Sequence, residues 1–344
     1  MQVFHTPRSL KHDPDRYFRG GQIVNHPESP ERYRILLDAA QASGLAATEA
    51  TGTDTAPIRA VHVGHYVDFL ETAWSRRGEW PGERDELLNG HFAKPQMHRR
   101  PVGLLGQLGF YAADTSTMIR AGTWEAVAGS AQAAIAATRF ALEQGWAYAL
   151  SRPPGHHAFA DCAAGFCFLN NAAIAARLLA DSLDARVAVI DIDVHHGNGT
   201  QSIFYESDRV FTASIHCDTS DYYPFYAGYA DETGTGAGAG YNLNLALAKG
   251  TDDAAFLDGI RAALDRASAL GCKGLVVALG LDAGRDDPLG AFNITDEGFG
   301  EAARLLAAFD GPGVLVQEGG YLCPALPVNL TAFLTAYSGA REST

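Results

Sequence analysis

From about residue 125 to about residue 320, short apolar runs alternate with longer segments of helical periodicity. That alternation predicts an α/β protein of three layers, a parallel sheet flanked by helices on both faces. The predicted strands are Ala147 to Leu150, Val187 to Ile190, Val210 to Ser214, Leu275 to Leu279 and Val314 to Val316. Several are rich in Val and Ile, and each is continuous enough for burial on both faces. Between them, Thr123 is expected to cap a helix that Gly145 ends, and Thr251-Asp-Asp to start another that Gly271 closes. Nearer the front, Ser29-Pro30-Glu31 predicts a helix reaching about Ser43, and Val67 to Trp74 the next.

Residues 76–110 interrupt this rhythm with Arg76-Arg-Gly-Glu-Trp-Pro-Gly, Lys94-Pro-Gln-Met-His-Arg-Arg-Pro and glycines at 103, 106 and 109. A structureless stretch of that length suggests a lid, a site wall or an oligomer contact. Leu104, Leu105, Leu108, Phe110 and Tyr111 are too apolar to be left in water. A second irregular stretch, Gly234-Thr-Gly-Ala-Gly-Ala-Gly, has no strong strand before it and no helix directly after it, so it reads as a close-packed turn and not a phosphate cradle. The end, from Ser338 to Thr344, is expected to fray.

The chain has 344 residues, 47% of them hydrophobic, and a formal charge of -14 from 40 acidic and 26 basic side chains. Length alone allows two domains, but no linker composition appears, so a single domain over residues 1–344 is expected. The negative balance, without any Lys/Arg-rich run, argues against nucleic acid and anionic membrane as partners and suits a cationic small molecule or a basic tail. Five cysteines without paired spacing read as reduced thiols, and the first residues carry no secretory signature, so a cytoplasmic protein is expected.

In a parallel α/β sheet ligands bind beyond the carboxyl ends of the strands. There the chain places Arg152-Pro-Pro-Gly-His156-His157, Asp191-Ile-Asp193-Val-His195-His196-Gly-Asn198-Gly, His216-Cys-Asp218, Asp282-Ala-Gly and Glu318-Gly-Gly-Tyr321. Asp193 and His195, two apart on an extended segment, share a side, and Asp282 arriving from another strand completes an oxygen, nitrogen and oxygen donor set. Three protein ligands with one position open is the arrangement of a catalytic zinc site, in which the ion lowers the pKa of water to roughly 7 and polarises a carbonyl. Fe²⁺ or Co²⁺ would also suit two carboxylates and an imidazole. Of the tandem His156 and His157, one can serve as base and the other as electrostatic helper held by a carboxylate such as Asp191. Tyr321, after two glycines, can present its hydroxyl to a developing oxyanion. The set reads as metal-assisted hydrolysis of an amide without a serine or cysteine nucleophile.

These same motifs, together with Ser214-Ile-His and Gly280-Leu-Asp-Ala, resemble the histone deacetylase superfamily. The segments Val61-His62, Phe69 to Trp74, Gly122-Thr-Trp-Glu and Gly228 to Gly240 are most similar to its bacterial acetylpolyamine amidohydrolase branch. The resemblance implies the arginase/deacetylase fold, with Asp193, His195 and Asp282 as zinc ligands. It also implies His157 as general base and acid, His156 as its partner held by Asp191, and Tyr321 as stabiliser of the tetrahedral intermediate. An aromatic tunnel of Phe166 and Tyr223 with the Gly165 carbonyl nearby would bind substrate, and Asp191, Asp193, His195, Ser214 and Ile215 would hold a structural potassium ion. The inserted loop would make a homodimer and narrow the mouth of the site. Where the polyamine enzymes carry an acidic loop residue that can attract a distal ammonium, this chain has Leu105; Glu83, Asp85, Glu86 and Asp114 are the candidates to replace it.

The resemblance therefore implies removal of acetyl from a small acylated amine, above all an acetylpolyamine, with an acetyl-lysine or acyl-lysine deacylase as the alternative. A two-manganese ureohydrolase shares the fold, but the second carboxylate it needs is missing where Gly197 stands. A noncatalytic acyl-amine binder is disfavoured by the presence of His157 and Tyr321.

Overall fold

The computed structural model describes every residue except Pro81, Glu83, Arg84, Pro95, Ser343 and Thr344. Its strands are β1 (Gln2–His5), β2 (Arg16–Arg19), β3 (Gln22–Asn25), β4 (Ala46–Glu49), β5 (Glu86–Leu87), β6 (Ile119–Arg120), β7 (Trp146–Ala149), β8 (Val187–Asp191), β9 (Val210–Cys217), β10 (Asn242–Leu247), β11 (Leu275–Leu279) and β12 (Gly313–Gln317). The α-helices are α1 (Pro30–Ala42), α2 (Ala56–Arg59), α3 (Gly64–Thr72), α4 (Leu104–Phe110), α5 (Thr123–Gln144), α6 (Asn171–Leu183), α7 (Asn198–Phe204), α8 (Asp253–Ala269), α9 (Asp296–Ala307) and α10 (Ala325–Glu342).

Eight strands form one sheet in the order β10-β9-β8-β11-β12-β7-β1-β4, every neighbouring pair parallel. Alternation along β11 shows why it sits centrally. Leu275, Val277 and Leu279 enter the core beneath α1, α8, α9 and α10, where Leu36, Phe256, Phe299 and Phe333 meet them. Val276 and Ala278 point the other way, into an alanine-rich layer from α5 and α6. Small residues on these two helices let them lie close to the sheet. This is the expected three-layer architecture.

The five expected strands and four expected helices are all present, with ends shifted by a few residues. Thr123 is the first residue of α5 and not its cap, a place taken by Gly122; the Thr123 hydroxyl instead accepts the Arg120 N–H. The expected fraying is corrected for residues 338–342, since α10 runs to Glu342, anchored by Arg341, which donates to the carbonyls of Ala307 and Phe309, while Ser343 and Thr344 lie outside the described residues. Within 76–110, Leu104 and Leu108 are buried beside Tyr66 and Phe69, as their apolar character demands, whereas Leu105 is half exposed. The glycine-rich turn is close-packed as expected, since a Cβ on Gly238 would stand 2.4 Å from the Tyr205 carbonyl oxygen.

Candidate active site

The carboxyl ends of β7, β8, β11 and β12 deliver the predicted residues to one floor. Asp191 closes β8 and the chain continues through Asp193 and His195, while Asp282 follows β11 and Tyr321 follows β12. The donor atoms of Asp193, His195 and Asp282 all lie within 4.8 Å of one another, and His195 Nδ1 stands 3.1 Å from an oxygen of each carboxylate. Backbone N–H groups orient the carboxylates: Gly319 donates to Asp193 Oδ2 at 2.8 Å and Val194 to Asp282 Oδ1 at 3.1 Å. A Cβ on Gly319 would come 2.1 Å from Asp282 Oδ2, so the glycine is what leaves the carboxylates room.

This donor set fits a divalent cation. Asp193 and Asp282 are fully buried with one imidazole between them. Burial, with the Asp193 charge beside it, pushes the Asp282 carboxyl up to about 7. Two buried carboxylates at this separation repel, and a dication is the economical way to neutralise them.

His156 and His157 are both buried and face each other at 4.0 Å between ring centroids, yet they are driven apart electrostatically. Burial pulls His157 well below the ordinary imidazole range, aided by the charges of His156 and His195. Burial opposes charge on His156 too, but the Asp193 and Asp191 carboxylates overcome it and hold that imidazole well above the ordinary range. His156 Nδ1 donates to Asp191 Oδ2 at 2.9 Å. His157 Nδ1 donates to Asn198 Oδ1 at 2.7 Å, which leaves Nε2 as the unprotonated nitrogen. Burial raises the Tyr321 phenol well above its usual range, so it remains a donor.

His157, His195, Gly165, Phe166, Tyr223 and Tyr321 all line one cavity of ≈ 820 Å³. Phe166 meets Tyr321 edge to face with centroids 5.9 Å apart, and Tyr223 meets His157 likewise at 5.0 Å. A Cβ at Gly165 would strike His157 Cδ2 at 2.3 Å. Ser214 and Ile215 do not reach this cavity; they lie buried in β9, where Ser214 is paired with Asp191 across the strands. Of the carboxylates proposed to replace the acid at Leu105, Asp114 lines the cavity. Asp85 and Glu86 are not among the lining residues, and Glu83 lies outside the described residues.

Three residues support the site, two of them outside any motif. Arg32, buried on α1, donates to the carbonyls of Gly320 at 2.5 Å and Glu318 at 2.8 Å and lies over the Tyr321 ring at 4.8 Å. Glu28 binds both Arg32 and Arg152 at 2.9 and 2.8 Å, a buried triad beneath the turn. Glu318, noted only as part of Glu-Gly-Gly-Tyr, accepts the N–H groups of Gly155 and His156 and so braces the tandem histidines. It lies close to His156 and Cys167, with Oε2 engaged by those backbone groups and Oε1 buried without a hydrogen-bond partner.

A parallel sheet with such a site defines a metal-dependent amidohydrolase class, and comparison with known proteins places the chain within it: the histone deacetylase domain matches residues 26–337, and the chain belongs to that family. Members of this family use a catalytic metal. The chain is 43% identical to the acetylpolyamine amidohydrolase of Burkholderia pseudomallei, covering 99% of both proteins, and 38% identical to that of Mycoplana ramosa, covering 98% and 99%. The crystal structure of acetylpolyamine aminohydrolase from Burkholderia pseudomallei superimposes with a TM-score of 0.94 over 99% of both chains. Similarity at this level confirms the arginase/deacetylase fold.

Proposed function

We propose that this chain, acting as one catalytic domain, removes the acetyl group from small acylated amines, acetylpolyamines foremost. The observation that carries the reading is the convergence of the Asp193, His195 and Asp282 cluster with His157 and Tyr321 at an aromatic-walled cavity. Asp193, His195 and Asp282 would hold zinc, with Fe²⁺ or Co²⁺ as the substitutes of similar chemistry. When bound, such an ion supplies Lewis acidity toward the acetamide carbonyl and acidifies water. His157, neutral and held by Asn198, takes up a proton at Nε2 and returns it to the departing amine. His156, held charged by Asp191, adds positive potential beside it. Tyr321 donates its hydroxyl to the oxyanion that forms from the carbonyl.

The Gly165 backbone and the rings of Phe166 and Tyr223 flank the slender amine. Asp191, Asp193, His195, Ser214 and Ile215 would hold a structural potassium ion; the cross-strand pairing of Asp191 with Ser214 supports this, because oxygen donors suit a hard cation. The apolar residues Met97, Val102 and Leu105 on the inserted loop, 63, 89 and 50% exposed, support a homodimer formed there.

Comparison of kcat/KM on acetylputrescine, acetylspermidine and an acetyl-lysine peptide tests the substrate. The polyamines are expected to lead, with turnover lost to a chelator and restored by zinc. Preference for the peptide would shift the assignment to an acyl-lysine deacylase.

A further inference from the structure

One carboxylate ties together the chain segments that wall the cavity. Asp114 lies in the irregular stretch between α4 and β6. Its Oδ2 accepts the Tyr223 hydroxyl at 2.7 Å and the Gly165 N–H at 3.0 Å. Its Oδ1 accepts the Ser116 N–H at 2.8 Å and the Ser116 hydroxyl at 2.5 Å. The Ser116 oxygen in turn accepts the Phe166 N–H at 3.2 Å. The turn at 165–166 and the Tyr223 ring, which come from distant parts of the sequence, therefore hang on a single side chain and its neighbour.

That turn needs holding. Phe166 has a φ of 67° beside Gly165 at 51°, and a bulky residue stays in the left-handed region only where its surroundings enforce it. The backbone bonds to Asp114 and Ser116 supply that enforcement on the side of the donors. The Tyr223 hydroxyl occupies the space 3.0 Å from where a Cβ on Gly165 would stand, so the same carboxylate sets the ring against the turn. All four donors to Asp114 are neutral, so what it contributes through them is geometry.

We propose that Asp114 is a positioning residue that fixes the gap between the Tyr223 and Phe166 rings and thereby confines deacetylation to amides of unbranched primary amines. This rests on the deacetylase reading above. With the acetamide carbonyl between His157 and Tyr321, the first carbon of the amine lies between the rings that touch those two residues. A branch at that carbon requires the rings to part, which the tether to Asp114 opposes.

The test compares kcat/KM for acetylputrescine with that for its analogue bearing one methyl on the carbon attached to the acetylated nitrogen. The wild-type protein is expected to prefer the linear amide by about a hundredfold, in the range one extra carbon commands in a tight pocket. Asp114→Ala and Tyr223→Phe should each lower that ratio by about tenfold. Asp114→Asn keeps an oxygen for Tyr223 and Gly165 and should retain the ratio within about threefold. General damage to the fold slows both substrates alike and leaves the ratio in place. An unchanged ratio in either Asp114→Ala or Tyr223→Phe overturns the inference. So does Asp114→Asn behaving like Asp114→Ala, because the oxygen it keeps is the one that Tyr223 and Gly165 share. Absence of wild-type turnover on both amides overturns the acetylpolyamine reading itself and is thereby distinguishable.

Discussion

Adjacent in sequence, His156 and His157 acquire opposite character from what each nitrogen faces, a carboxylate in one case and an amide oxygen in the other. In the proposed reaction Tyr321 completes their work as a neutral donor, and its effect belongs to the transition state. Tyr321→Phe should therefore lower kcat by roughly 10²–10³ while leaving substrate binding nearly intact. Rates at saturating substrate, beside calorimetric affinity for an uncleaved amide analogue, separate the two effects. Elsewhere, His62 is buried with its Nε2 accepting the Asn170 N–H. Burial lowers its pKa to about 4, so the unfolded chain binds the extra proton between pH 6.5 and 4 and stability must fall as pH drops through that window. Between pH 7 and 5 this side chain should account for a loss of about 2 kcal/mol. His62→Gln, whose amide oxygen can accept the same N–H, should show a shallower decline in urea midpoint over that range than the wild type.

Among the strands of the large sheet, position was legible in proportion to how fully each is buried. The central β11, apolar on both faces, stands at its predicted bounds, whereas β1, β4 and β10 went unrecognised. β10 alternates Asn with Leu because Asn242 and Asn244 turn into a buried polar network around Gln201, so an edge strand looks like a loop in sequence. Helix α1 carries the less obvious consequence. Its Arg32 reaches the Gly320 and Glu318 carbonyls and thereby connects helix packing to the placement of Tyr321. Arg32→Met removes that connection and leaves the buried Glu28 with one partner, at a cost of about 3–5 kcal/mol. Urea titration should show that loss, and kcat should fall with it; Arg32→Lys, lacking the planar fork, should recover little.

At the scale of the whole molecule, the proposed pairing of two copies turns on the inserted stretch. None of the described residues in 76–110 lines the active-site cavity, although Leu88 packs against the cluster of Tyr17, Phe166 and Tyr321 behind it. Exposed Val102 and Leu105 are the surface a second copy would cover. Val102→Asp should shift sedimentation from dimer toward monomer; a wild-type protein sedimenting as a monomer would sink the dimer proposal.

What the sequence determined by itself is the candidate chemistry, because the residues proposed to face a substrate follow strand ends directly and their spacing is local: Asp193 with His195, His156 with His157, Gly319 and Gly320 before Tyr321. The scaffold that gives those residues their properties was decided only in three dimensions. Asp114 stands far in sequence from Gly165 and Tyr223, Glu28 from Arg152, and Arg32 from Glu318 and Gly320, and a hydrogen bond or charge pair across such separations leaves no periodicity to read. The depressed His157 and elevated His156 likewise arise from burial and neighbours that only the packed sheet brings together.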